Sequence, residues 1–133
     1  MFLNDGDIVK HFKGKNLIEK NIYEIVSVNP KYTGTKEFTE EPVVVYKSIF
    51  QGGISFVREY SDLIQELTAE EKEEYGQDNR VNLLSESELE EIKKPEFVEK
   101  KLAYISVKYA NAGKVTEKIT DTVKSNDIVW KRK

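Results

Sequence analysis

The sequence predicts an α+β fold, mainly β with short helices, on three observations. Four short β-rich segments fall within the first sixty residues, an acidic helical stretch follows, and β-type residues return near the end. A chain of 133 residues suits one compact unit. We expect residues 1–67 to form a small antiparallel barrel, residues 68–100 an acidic two-helix segment, and residues 101–133 C-terminal β-strands that pack on the barrel.

Turn-forming residues separate the four N-terminal strands. Gly14 follows the first strand, Asn29-Pro30 follows the second, and Gly52-Gly53 lies between the third and the fourth. The predicted strands cover residues 7–13, 21–28, 43–50 and 54–60, and a polar loop covers residues 31–41. Four strands this close together in sequence favour a small antiparallel sheet or barrel.

The glycine pair determines the register of the second hairpin. A two-residue loop would place Lys47 opposite Arg58, and like charges directly opposite each other are destabilising. A three-residue loop places Tyr46 opposite Arg58 and lets Gly53 adopt the left-handed conformation of a bulged turn. We therefore predict Tyr46 opposite Arg58. Both faces of this hairpin are then apolar, and we expect the C-terminal strands to cover the outer one.

Two capping boxes predict the helices of the acidic segment. They are Thr68-Ala69-Glu70-Glu71 and Ser85-Glu86-Ser87-Glu88. Gly76 is a plausible end for the first helix, and Pro95 ends the second. Because carboxylates are favoured in the first turn of a helix, these glutamates fit ordinary helix termini better than an acidic recognition site.

The C-terminal third returns to β-type residues. Residues 102–109 predict a strand, residues 111–114 a turn, and residues 128–130 a last short strand. Residues 115–123 alternate and are rich in Thr, which favours a strand, although Val115, Ile119 and Val123 also fit a helical stripe.

Composition excludes several classes of chemistry. With no Cys, the chain has no disulfide, thiolate metal site or Cys nucleophile, and with one His it has no site that needs two imidazoles. We expect no cofactor and no metal. The chain has no apolar run of membrane-spanning length and no visible secretory signal, so we expect no membrane association and a cytoplasmic location.

One group of residues is the candidate ligand site. It consists of His11 and Lys13 at the end of the first strand, Tyr46 in the third strand and Arg58 in the fourth. Cationic donors beside an aromatic ring suit an anionic or carboxylate-bearing ligand. Arg58 over Tyr46 also fits a purely structural cation–π pair, and this alternative is slightly favoured over ligand binding.

The motifs around these residues resemble a small bacterial family, a domain of unknown function. Its pattern appears here as His11-Phe12-Lys13-Gly14, Tyr23-Glu24-Ile25-Val26, Val44-Val45-Tyr46 and Gly53-Ile54-Ser55-Phe56-Val57-Arg58. The resemblance covers residues 5–67 and implies a small barrel similar to the SH3 type. The chain departs from the pattern at Phe56 and Glu59, where the family usually has Trp and Pro.

We expect a bacterial or phage protein that acts as a non-catalytic small β-barrel binding module. Its partner would be a protein or a small anionic ligand. The first alternative is a nucleic-acid-binding protein that uses Trp130, Lys131, Arg132 and Lys133. A net charge of −3 counts against that alternative, because phosphate binding usually needs a basic domain. A second alternative is an enzyme that acts on a nucleotide or a modified base.

Overall fold

The computed structural model describes residues 2–30 and 42–113, and in them the predicted α+β class is confirmed. The strands are β1 (Ile8–His11), β2 (Ile22–Val28), β3 (Val43–Ser48), β4 (Ser55–Glu59) and β5 (Val81–Leu83). The helices are α1 (Tyr60–Leu63), α2 (Ala69–Tyr75), α3 (Glu86–Lys93) and α4 (Pro95–Gly113). The sequence predicts β1 to β4 and the positions of α2 and α3, whereas β5 and α4 are not anticipated.

The five strands form one antiparallel sheet with the order β4-β3-β2-β1-β5. The first four strands are consecutive neighbours, and β5 returns to pair with β1 at the far side. In the described part of the chain β4 and β5 are the two edges, so the sheet does not close into a barrel.

The pairing of β3 with β4 differs from the predicted register by two residues. Tyr46 lies opposite Phe56, and Arg58 lies opposite Val44, so the prediction that Tyr46 faces Arg58 is wrong. A shift by two residues leaves every side chain on its predicted face of the sheet, because side chains alternate with a period of two. The like-charge pair that motivated the prediction is still avoided.

The length of the hairpin loop explains this register. The Ser48 backbone N–H donates to the Ile54 carbonyl oxygen at 2.9 Å, so residues 49–53 form the connection where the sequence predicts a three-residue loop. Gly52 and Gly53 both have positive φ, of 68° and 71°. Both glycines therefore use a left-handed backbone that other residues rarely adopt, whereas the predicted bulged turn needs only one such residue.

The sheet has a core face and a helix face, each with its own apolar cluster. The buried residues of the core face, together with one from the N-terminal segment and one from α1, are Leu3, Val9, Ile25, Val44, Tyr46, Leu63 and Val81. The buried residues of the helix face are Ile22, Leu84, Ile92 and Phe97. Helices α3 and α4 therefore cover the outer face, and the expectation that C-terminal strands cover it is wrong for the described residues.

Both predicted capping boxes are confirmed. The hydroxyls of Thr68 and Ser85 accept from the backbone N–H of Glu71 and Glu88, and each glutamate reaches back to its cap. Gly76 ends α2 in the left-handed conformation, with φ 67°. Lys10 in β1 donates to Glu88 at 2.6 Å and thereby attaches the first turn of α3 to the sheet.

The predicted strand at residues 102–109 and the turn that follows it are wrong, because α4 runs from Pro95 to Gly113. Pro95 does separate two helices, since Lys94 has the extended backbone that a residue before proline favours. It also begins the next helix, where its missing N–H costs nothing. Phe97, Lys101 and Ile105 are buried at a spacing of four, which is a helical period.

Two buried lysines attach the β1–β2 connection to the helices. Lys101 in α4 donates from Nζ to the carbonyl oxygens of Leu17 at 2.9 Å, Ile18 at 2.6 Å and Lys20. Lys20 in turn donates to the carbonyl oxygens of Phe12 at 2.7 Å and Tyr75 at 3.3 Å. Burial lowers the pKa of Lys101 to about 8 and, with Lys10 nearby, also lowers the pKa of Lys20.

Replacing Lys101 by methionine tests this connection. Lys101→Met keeps the length of the side chain but leaves three carbonyl oxygens without their donor, and we expect it to lower the free energy of unfolding by about 2–4 kcal/mol. Urea denaturation followed by circular dichroism measures the change. Lys100→Met is the matched control, because Lys100 is exposed and its loss should cost less than about 0.5 kcal/mol. Equal losses in the two variants would contradict this role.

Candidate functional site

The candidate site extends along the core face. Because all neighbouring strands are antiparallel, the ends of β1 and β3 meet the beginnings of β2, β4 and β5. His11 lies at that end of the sheet, whereas Arg58 lies near the end of β4, opposite Val44. His11 ends β1, and Tyr23, Tyr46 and Phe56 lie on the adjacent strands in order. Arg80 immediately precedes Val81, which is the partner of His11 in β5.

Three aromatic rings pack together in this site. Tyr46 and Phe56 are stacked, with centroids 5.4 Å apart and an interplanar angle of 26°. Tyr23 meets both rings edge-on, at 5.0 Å from Tyr46 and 5.9 Å from Phe56. These are the stacked and T-shaped geometries that aromatic rings prefer. Tyr46 is only 7% exposed, whereas Phe56 at the outer side of the stack is 39% exposed.

Two arginines share one carboxylate beside these rings. Arg58 donates from Nη1 to Asp62 Oδ2 at 2.7 Å, and Arg80 Nη1 lies 3.6 Å from Asp62 Oδ1. The Arg58 side chain also forms a hydrogen bond with Tyr46. Burial by itself would lower the pKa of Arg58, but Tyr46 and Asp62 together raise it, so the guanidinium stays charged.

His11 is neutral in this surrounding. Burial lowers its pKa to about 4, and the charges of Arg80, Lys13, Arg58 and Lys20 contribute to the same change. Its Nδ1 accepts a hydrogen bond from the Lys13 backbone N–H at 3.3 Å. The neutral ring therefore carries its proton on Nε2, which makes that nitrogen a donor.

Of the predicted site residues, the structure brings Tyr46 and Arg58 together, because they are hydrogen-bonded. His11 accepts from the Lys13 backbone and lies within reach of the charge of Arg58. Lys13 is exposed, with its Nζ 6.0 Å above the ring of Phe12. Whether these residues bind a ligand stays a prediction. The alternative residues Trp130, Lys131, Arg132 and Lys133 lie outside the described residues.

Four members of the cluster are missed by sequence reasoning. Tyr23 and Phe56 are recognisable as strand residues, but only the observed register places their rings against Tyr46. Asp62 stands four residues after Arg58, which is a spacing for ion pairs that the sequence does offer. Arg80 carries no signal, because it precedes a strand that the sequence does not predict.

Glycine is required at the turn that follows His11. Gly14 has φ 115°, and a Cβ there would lie 2.9 Å from the carbonyl carbon of Glu19 and 3.0 Å from the Lys20 nitrogen. These are backbone atoms, which cannot move away from an added Cβ as easily as the end of a flexible side chain can. Residues 12–20 therefore fold back tightly enough for Lys20 to reach the Phe12 carbonyl, and this fold holds the end of β1 in place.

Arg80 borders a cavity beside the site. This cavity has a volume of about 210 Å³ and is also lined by Phe12, Glu66 and Glu71, and the charge of the two glutamates is unfavourable for an anion. Two larger cavities among the described residues, of about 590 and 630 Å³, share Ile49, Phe50 and Val98. Among the described residues no group of three His, Asp or Glu is placed to hold a metal ion. None of the described helices is both long and apolar enough to cross a membrane.

Comparison of the chain with protein-family models, with curated proteins and with solved structures found no match.

We expect Gly14→Ala to destabilise the protein by about 2–3 kcal/mol, because the variant combines a left-handed backbone with a steric clash. Gly6→Ala is the control, since Gly6 has φ 89° but no heavy atom within 4 Å of the position that a Cβ would take. The Gly6→Ala variant should lose only the roughly 1 kcal/mol of stability that a left-handed backbone costs a residue other than glycine. Thermal unfolding of both variants checks the difference, and a Gly14 variant as stable as the Gly6 variant would contradict the close packing of this turn.

His11 should make the stability depend on pH. The pKa of His11 is about 4 in the folded protein, against 6.5 in the unfolded chain, so the unfolded state takes up the proton first as the pH falls. The free energy of unfolding should therefore decrease between pH 6.5 and pH 4, by about 1–2 kcal/mol from this residue. Urea denaturation across this range should show a smaller decrease for His11→Gln. If the stability of the wild-type protein and of His11→Gln decreased equally between pH 6.5 and pH 4, the low pKa of folded His11 would be contradicted.

Proposed function

We propose that this protein is a non-catalytic binding module that takes a small anionic ligand at Arg58, Arg80 and His11. The observation that carries the proposal is the convergence of two guanidinium groups on Asp62. Asp62 uses one nitrogen of each arginine, whereas a guanidinium has five N–H donors. Two guanidinium groups held side by side by one carboxylate, both partly exposed, suit a carboxylate or a phosphate.

The charge balance of the site supports an anion. Arg58, Arg80 and Lys13 are cations, His11 is neutral, and Asp62 is the carboxylate that faces both arginines. The side chains of Arg58, Asp62 and Arg80 are 33%, 40% and 30% exposed, so a ligand can reach them. Partial burial also protects such a contact from screening by salt better than a fully exposed one.

The properties of His11 support binding rather than catalysis. A general base works best when its pKa lies near the working pH. The pKa of His11 is about 4, because burial and four neighbouring cations oppose its protonation. At neutral pH its Nε2–H is therefore a hydrogen-bond donor, and proton transfer is disfavoured.

We further propose that residues 5–67 belong with the bacterial domain that their motifs resemble, and that the sheet is an open relative of the SH3 type. Support comes from the strand order, in which four consecutive strands are followed by a fifth that returns to pair with the first. A short helix, α1, stands at the end of β4, where the chain leaves the sheet.

Titration with inorganic phosphate, followed by NMR or calorimetry, tests the binding function. We expect saturable binding that Arg58→Gln and Arg80→Gln each weaken by about 10- to 100-fold, as the loss of charge-assisted hydrogen bonds predicts. Lys47→Gln is the matched control, because Lys47 is a cation paired with Glu24 on the opposite face of the sheet. Binding that is absent, or that persists unchanged in both arginine variants, would overturn the proposal.

A further inference from the structure

We infer that the ligand of this site carries a planar ring next to its anionic group, as a nucleotide does, and that the ring stacks on Phe56. The inference rests on the proposed anion site and adds the class of ligand. Its basis is the aromatic stack of Tyr23, Tyr46 and Phe56, which adjoins Arg58 through its hydrogen bond with Tyr46.

The exposed ring of Phe56 is the feature that a simple anion leaves unexplained. Phe56 is 39% exposed although its neighbour in the stack, Tyr46, is almost completely buried. Tyr46 stacks on the Phe56 ring, and Tyr23 packs against both rings with its plane nearly perpendicular to theirs. The result is a supported apolar platform rather than a loose side chain, and such platforms stack bases in nucleotide-binding proteins.

The distance between Phe56 and Arg58 along β4 fits a ligand in which a spacer joins a planar ring to an anionic group. Phe56 and Arg58 stand two residues apart in β4, so they lie on the same face and their backbones are about 6.6 Å apart. In a nucleotide the sugar separates the base from the phosphate in a similar way. The base would stack on Phe56 while the phosphate accepts hydrogen bonds from Arg58 and Arg80.

Electrostatics argue against the other use of an aromatic cluster, which is to hold a quaternary ammonium group. Aromatic cages attract cations through the negative faces of their rings. Here Arg58 is hydrogen-bonded to Tyr46, and Asp62 pairs with both Arg58 and Arg80, so a cationic ligand would be repelled by two guanidinium groups. A ligand with a planar ring and a negative group would instead be attracted by both the aromatic stack and the two arginines.

Calorimetry on the full chain separates the contribution of the ring from that of the anion. The probes are inorganic phosphate, ribose 5-phosphate, the four nucleoside 5′-monophosphates and a short single-stranded oligonucleotide. We expect at least one nucleotide to bind about 5- to 150-fold more tightly than ribose 5-phosphate, which is the factor that stacking on one ring supplies.

Two variants of β4 make the test specific. Phe56→Leu keeps an apolar side chain but removes the ring, and we expect it to abolish the advantage of the nucleotide over ribose 5-phosphate. Val57→Thr is the matched control, because Val57 is 65% exposed on the opposite face, and it should leave the advantage unchanged. If the oligonucleotide binds more tightly than the mononucleotides and shows the same dependence on Phe56, the ligand is a nucleotide within a strand.

The outcomes that overturn the inference are distinct from those that overturn the anion site. If ribose 5-phosphate binds as tightly as every nucleotide, or if Phe56→Leu leaves the difference unchanged, the ring is not recognised, although the arginines still bind an anion. If no phosphate compound binds and Arg58→Gln changes nothing, the proposed function itself is wrong.

Discussion

The two buried lysines are the constraint on which the arrangement of the molecule depends. Lys101 brings α4 against the carbonyl oxygens of residues 17–20, and Lys20 attaches the same segment to the end of β1 and the end of α2. Each ammonium replaces several water molecules with carbonyl oxygens, which makes its burial tolerable. His11 ends β1 next to this segment, so the position of the candidate site depends on the same contacts.

Local signals predicted the parts of the fold that are governed by local chemistry. The capping boxes at Thr68 and Ser85 and the glycine at the end of α2 specify helix termini through contacts within four residues. The C-terminal part of α4 is different, because residues 102–109 contain β-type residues that fit a strand as well as a helix. Burial of Lys101 and Ile105 decides between them, and that burial depends on distant parts of the chain.

The candidate site could be predicted only in part. The sequence indicates His11, Lys13, Tyr46 and Arg58 as a group. The structure pairs Tyr46 with Arg58 and leaves His11 within reach of the charges of Arg58 and Lys13. The stacking of Phe56 on Tyr46 could not be predicted, because it depends on the register between β3 and β4. That register is determined by a loop that is two residues longer than the sequence suggests. The role of Arg80 could not be predicted either, because its position depends on the pairing of β5 with β1. The strand β5 has only three residues, and no local sequence pattern indicates it.

The side-chain Nε–H signals of arginine in a ¹⁵N NMR spectrum test the central claim, that two guanidinium groups form one anion site, most directly. The sequence contains only Arg58, Arg80 and Arg132, so the spectrum is simple and can be assigned with single variants. Upon addition of inorganic phosphate, the account predicts that the signals of Arg58 and Arg80 shift together and saturate with one dissociation constant. Signals of these two arginines that stay in place, or that titrate with different constants, would contradict it.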